Sequence, residues 1–233
     1  MMEMNIIAIS MNTANNANEK EMDNMKANLG IERMVKLMIE NYSVARENIV
    51  MRLINKANVD DSEVYVPMED LAVVFRLKLD EGRLAKVTET MVDRWGVDIK
   101  TLLKDAQDTT ERLEPLMLQT LPGVLGGMFG VDIESEDSSI YVVSTESMVG
   151  GAVSLFYSTT IRKLMTRLNT SKLLVIPSSI HETLVMPFGE VDTDYINSVI
   201  KDVNETQVTP NERLSNHAYA YGFHEDKPFF VSL

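Results

Sequence analysis

Two short apolar runs, "KLLVIP" (Lys172 to Pro177) and "ETLVMP" (Glu182 to Pro187), are separated by only Ser178, Ser179, Ile180 and His181. Each has strand length, and returning a strand to parallel register takes a crossover of about a dozen residues, so these two runs pair antiparallel. The surrounding text repeats this grammar. A strand ("SSIYVVS") and a helix over about 151–168 come before the pair, and a helix ("DTDYINSVIKDVNE") and two more strands ("HAYAY", "PFFVSL") follow it. Asp192 is placed to cap the later helix, and Thr209, Pro210 and Glu212 have the spacing of a one-turn helix.

Upstream, the apolar period changes. Ile31, Met34, Val35, Met38, Ile39 and Tyr42 recur at helical spacing, and Ser43 opens a second such run carrying Ala45, Ile49, Val50, Leu53 and Ile54 on one side. "EVYVP" and "LAVVFRLKLD" read as strands, and Asp98 is placed to cap a helix bearing Ile99, Leu102, Leu103 and Ala106, with Thr110 starting a further short one. Before the first clear helix, Asn5 to Ser10 can form a strand, and the Asn-rich text after it supports at most an exposed helix ending near Gly30. The expected fold class is therefore α+β: a helical N-terminal part followed by a mainly antiparallel sheet with two covering helices. Residues 1–114 form the first part, 115–139 a glycine-rich and acidic connection, and 140–233 the second part.

A chain of 233 residues with 45% hydrophobic content can bury a sizeable core without cross-links. The absence of cysteine excludes disulfides, thiolate zinc sites, iron-sulfur ligation and a cysteine nucleophile, and it fits a reducing, cytoplasmic setting. No leader-like segment and no membrane-length apolar run are found. The net charge of −13 is uneven, because no basic residue lies between Arg112 and Arg162 while Glu114, Asp132, Glu134, Glu136, Asp137 and Glu146 do. Such a surface repels phosphate, so direct nucleic-acid binding is not expected and a protein partner is.

The candidate chemistry is sparse. "PSSIHE" offers Ser178, Ser179 and His181 as weak catalytic candidates, and His181 with Glu182 as binding contacts. A nucleophile elbow is missing, and Ser179 to Glu182 matches a capping box, so a turn that ties down main chain accounts for these residue types. Trp95, the only tryptophan, is either a packing anchor or a partner contact. His181, His217 and His224 lack metal-site spacing, Asp192 and Asp194 do not continue into a calcium loop, and Gly123 to Gly130 read as a flexible loop. Gly150-Gly151 stands after a strand, at a helix start. Neither a metal nor a cofactor is expected.

The W-G pair at Trp95 and Gly96, "PSSIHE" and "VNETQVTP" (Val203 to Pro210), together with the segments between them, resemble a bacterial domain-of-unknown-function family, DUF5688, of Firmicutes. The resemblance runs from about Ile31 to Tyr221 and implies no reaction. Three functions follow as expectations. The first is a non-enzymatic interaction or regulatory module whose acidic surface, with Trp95 and His181, binds a protein partner. The second is a small hydrolase or transferase using a Ser-His pair. The third is an acidic nucleic-acid mimic or anti-defence inhibitor of a DNA-handling protein.

Overall fold

The computed structural model describes residues 30–79, 82–130, 138–225 and 227–233. The expected strand at 5–10 and the helix after it lie outside the described residues. A helix over 30–40 (α1) and the short α2 (Tyr42–Ala45) lead into β1 (Ile49–Asn55). Strands β2 (Tyr65–Met68), β3 (Leu71–Lys78) and β4 (Leu84–Lys86) complete an antiparallel sheet in which β1 and β2 flank β3 and β4 also pairs with β3.

The helical run expected from Ser43 thus ends at Ala45, and Ile49 to Ile54 are strand. The pairing explains the misread period. Ile49, Met51 and Leu53 stand opposite Leu77, Phe75 and Val73, while Val50 pairs with Arg76 on the other face, and both Met51 and Val50 are buried. A strand covered on both faces has no polar alternation to betray it.

Helix α3 (Glu89–Trp95) is capped by the Thr88 side chain and closed by Gly96 in the left-handed conformation, φ +64°. Helix α4 (Ile99–Leu113) starts on the Asp98 cap and runs unbroken past Thr110, which therefore starts no helix of its own. The described residues of the segment read as a connection include regular elements. Leu116–Thr120 is β5, and Leu121–Phe129 is α5, which begins with Thr120 accepting the Gly123 N–H and ends at left-handed Gly130. The glycines there sit in a helix because a cap, Pro122 and a terminal glycine outweigh their low propensity.

Next come β6 (Tyr141–Thr145), a 3₁₀ turn (Gly151–Phe156), α6 (Ser158–Arg167), β7 (Lys172–Ser179), β8 (Glu182–Pro187), α7 (Thr193–Gln207), β9 (Tyr219–His224) and β10 (Lys227–Ser232). They form an antiparallel sheet in the order β10-β9-β7-β8-β6-β5. The fold is α+β.

The two helices expected over this sheet lie on opposite faces. Leu173 and Val175 of β7, with Tyr219 and Tyr221 of β9, share one apolar interior with Ile161 and Leu164 of α6 and with Met51, Val73 and Phe75 of the first sheet. Leu174 and Ala218 point the other way and pack against Ile200 of α7. Among the described residues, no helix is long and apolar enough to cross a membrane.

Candidate functional site

The β7–β8 hairpin carries "PSSIHE", and its tip is tied down by three other segments, two through main chain and one through a hydroxyl. Ile180 N–H donates to the Glu212 carbonyl at 2.9 Å, Ala152 N–H donates to the Ile180 carbonyl at 3.1 Å, and the Ser144 hydroxyl donates to the His181 carbonyl at 2.7 Å. The His181 ring closes the knot. Its Nδ1 accepts the Gly150 N–H at 3.1 Å, and its Nε2 lies 3.4 Å from Glu212 Oε1. An Nδ1 that accepts a proton donor assigns the proton of the neutral ring to Nε2, facing the carboxylate.

The hydroxyls on the same hairpin go elsewhere. Ser179 Oγ accepts the N–H of His181 at 3.1 Å, and Ser178 Oγ donates to Glu182 Oε1 at 3.2 Å. The expected capping box is absent because Ser179 is paired with Glu182 across the hairpin and no helix begins there. A serine nucleophile needs its hydroxyl at a ring nitrogen of the base. Among the described contacts, the ring meets Gly150 and Glu212 instead.

Gly150 and Gly151 let the knot close. A Cβ at Gly151 would stand 2.4 Å from Ser144 Oγ and 2.7 Å from the His181 carbonyl oxygen. One at Gly150, whose φ is +64°, would stand 2.4 Å from Arg52 Nε. Arg52 in turn grips Glu114 through two hydrogen bonds of 2.7 Å each, and Lys78 Nζ is 3.7 Å from the same carboxylate. Glu212, His181, Gly150, Arg52 and Glu114 thus form a continuous series of contacts from the hairpin of one sheet to β1 of the other.

Glu212 is anchored further by the Thr209 hydroxyl at 2.8 Å, and that bond, followed by the one to His181, holds its carboxyl below the usual range. The spacing at Thr209 to Glu212 therefore marks a real one-turn 3₁₀ helix, but Thr209 bonds the carboxylate rather than a main-chain N–H.

Trp95 is in a different place. Its indole N–H donates to the Met38 carbonyl at 2.9 Å and its ring lies 5.5 Å from that of Tyr42, so it fastens α3 to the first helices. Tyr42 in turn donates to Asp105 at 2.9 Å. No described contact joins Trp95 to His181.

A polar cluster that the sequence does not advertise is centred on Asp70, in the turn between β2 and β3. Its carboxylate accepts the Tyr219 hydroxyl at 2.5 Å and lies 3.1 Å from His217 Nε2. Burial first, and Asp70 second, push the Tyr219 phenol well above its ordinary value, so it remains a neutral donor. The sequence signal was one half of the cluster, the histidine in "HAYAY"; its partner is 147 residues away.

The family model described as a family of unknown function, DUF5688, matches residues 8–222. The chain belongs to this family. No curated protein and no solved structure matches it. The three segments that carried the resemblance have the contacts described above: Trp95-Gly96 ends α3, "PSSIHE" is the hairpin knot, and Asn204 of "VNETQVTP" donates from inside α7 to the Ser215 carbonyl at 2.8 Å.

Proposed function

We propose that this protein is a non-enzymatic interaction module that binds a protein partner through the outer face of α7. The observation behind this reading is an apolar stripe left exposed among the described residues. Tyr195, Val199 and Val203 recur every fourth residue, so they share one face of the helix, and they are 67%, 41% and 44% exposed. The opposite face is occupied in holding the fold, with Ile200 in the core and Asn197 bonding both the Ala218 N–H and the Leu233 carbonyl. Exposed Asp194, Asp202 and Glu205 flank the stripe.

An apolar stripe beside acidic side chains suits a partner that presents apolar anchors beside lysine or arginine. A basic DNA-handling protein is one such partner, which keeps the mimic and inhibitor reading within the same test. Trp95 and His181 stay candidate partner contacts beside this stripe: their polar atoms bond within the protein, yet the His181 side chain is 33% exposed.

The test is affinity capture from the native host with the wild type and with a Tyr195→Ser/Val199→Ser/Val203→Ser variant. A captured protein should rebind in purified form, more weakly as salt rises, and lose about tenfold or more in affinity for the variant. Equal binding by wild type and variant would remove α7 as the surface.

A further inference from the structure

A second feature lies on the far side of the sheet from α7. Between the two sheets is a cavity of about 340 Å³. Well-packed interiors leave few voids larger than a water molecule, and a space of this size with apolar walls and a few polar groups is the usual form of a small-ligand site.

The walls have distinct chemistry. Met51 and Val73 line it from the first sheet, Leu103 from α4, and Phe156 and Phe230 from the second layer. Phe156 meets Tyr221 edge-on at 6.0 Å and Phe230 at 5.7 Å, an aromatic corner whose edges and faces suit one more ring. The thioether of Met51 is an adaptable surface for such a guest.

Tyr221 supplies one polar feature, beside Gln107, Ser158 and Arg162. It lines the cavity and is 1% exposed. Tyr42, Tyr157 and Tyr219 each donate their hydroxyl to an acceptor in the protein, whereas the Tyr221 hydroxyl has no hydrogen-bond partner among the described residues. Burial pushes its pKa up to about 12 against a lowering pull from Arg162, so it is a neutral donor. The hydroxyl is not among the sealed, unpaired polar atoms of the described residues, so it keeps access to the cavity and is a donor that a ligand acceptor can take up.

We propose that the intersheet cavity binds a small neutral ring compound carrying one hydrogen-bond acceptor, with the ring in the corner of Phe156 and Phe230 and the acceptor on the Tyr221 hydroxyl. By the scale on which a cavity of about 150 Å³ takes benzene, the guest has on the order of ten to fifteen non-hydrogen atoms. This site is independent of the α7 surface, because α7 packs on the opposite face of the sheet.

The test uses two probes of matched size on the full chain: coumarin, which has a carbonyl acceptor, and naphthalene, which has none, titrated by ligand-observed NMR. The wild type should bind coumarin saturably. Val66 of β2 also lines the cavity; Val66→Phe, and independently Leu103→Trp on another wall, should weaken it roughly tenfold or more, each variant being checked for a cooperative melt. Tyr221→Phe, which keeps the ring, should weaken coumarin roughly fivefold and leave naphthalene within about twofold. No saturable binding by the wild type, or unchanged binding in folded Val66→Phe and Leu103→Trp, overturns the site. Equal losses of both probes in Tyr221→Phe overturn the assignment of the acceptor.

Discussion

Thr110 Oγ1 accepts the main-chain N–H of Met51 at 2.9 Å, so a helix side chain satisfies a donor on the outer edge of β1. The Thr109 hydroxyl, next along α4, donates to the Arg46 carbonyl at 2.8 Å at the end of α2, so the helix also holds the turn that leads into β1. An exposed strand edge invites pairing with another chain, and α4 removes that opportunity. Thr110→Val keeps the shape but strands a buried N–H, which costs about 1–3 kcal/mol. Urea denaturation of the variant should show that loss; an unchanged midpoint would mean that water replaces the hydroxyl.

The Arg52–Glu114 pair is nearly buried, with side chains 12% and 7% exposed. Removing Glu114 leaves Arg52 without its carboxylate in a dry setting, a loss of about 3–5 kcal/mol, removing Arg52 leaves Glu114 only Lys78 at 3.7 Å, and replacing both with apolar residues can be close to neutral. A cycle of Arg52→Met, Glu114→Leu and the double variant should therefore show strong coupling in chemical denaturation. Additive losses would show that the two side chains act separately.

His181 gives a pair of expectations. His181→Phe removes the acceptor of the buried Gly150 N–H and should lower stability by about 1–3 kcal/mol. Glu212 adds a pH dependence. Its carboxyl is depressed in the folded chain, so its contribution is present above the ordinary carboxyl range and disappears as pH falls through the folded value. Melts of the wild type and Glu212→Gln between neutral and acidic pH should converge on acidification, and a constant gap would show that the carboxylate charge is irrelevant.

Gly151 and Gly150 differ in what surrounds them. At Gly151 an added methyl meets main chain on two sides, the Thr145 nitrogen at 2.5 Å and the His181 oxygen at 2.7 Å, whereas at Gly150 it meets the Arg52 side chain. Gly151→Ala should be the more damaging change, by about 1–3 kcal/mol, because packed main chain gives way poorly. Thermal melts of the two variants rank them directly, and the reverse order would place the strain at the left-handed φ of Gly150.

What the sequence disclosed follows the range of each interaction. Asp98 and Asp192 lie three residues from the N–H groups they cap, and the β7–β8 and β9–β10 pairs are hairpins with short links, so local text was enough for them. Thr110 looked like a helix start because its real partner, Met51, is 59 residues away. Ile49 to Ile54 imitated a helix because both faces of β1 are covered, which erases the alternation that marks a half-buried strand. In "PSSIHE" the residue types were legible as a main-chain tether, but the groups being tethered, Gly150 and Glu212, could be located only in three dimensions.

The shared interior of the two sheets has a mechanical consequence. Phe75 and Tyr221 come from distant parts of the polypeptide yet face into the same oil-like space, so neither layer could be lifted away without wetting the other. A protease nick between the layers should leave two pieces that stay clasped, and recombination at that point would create offspring unable to shield their own insides.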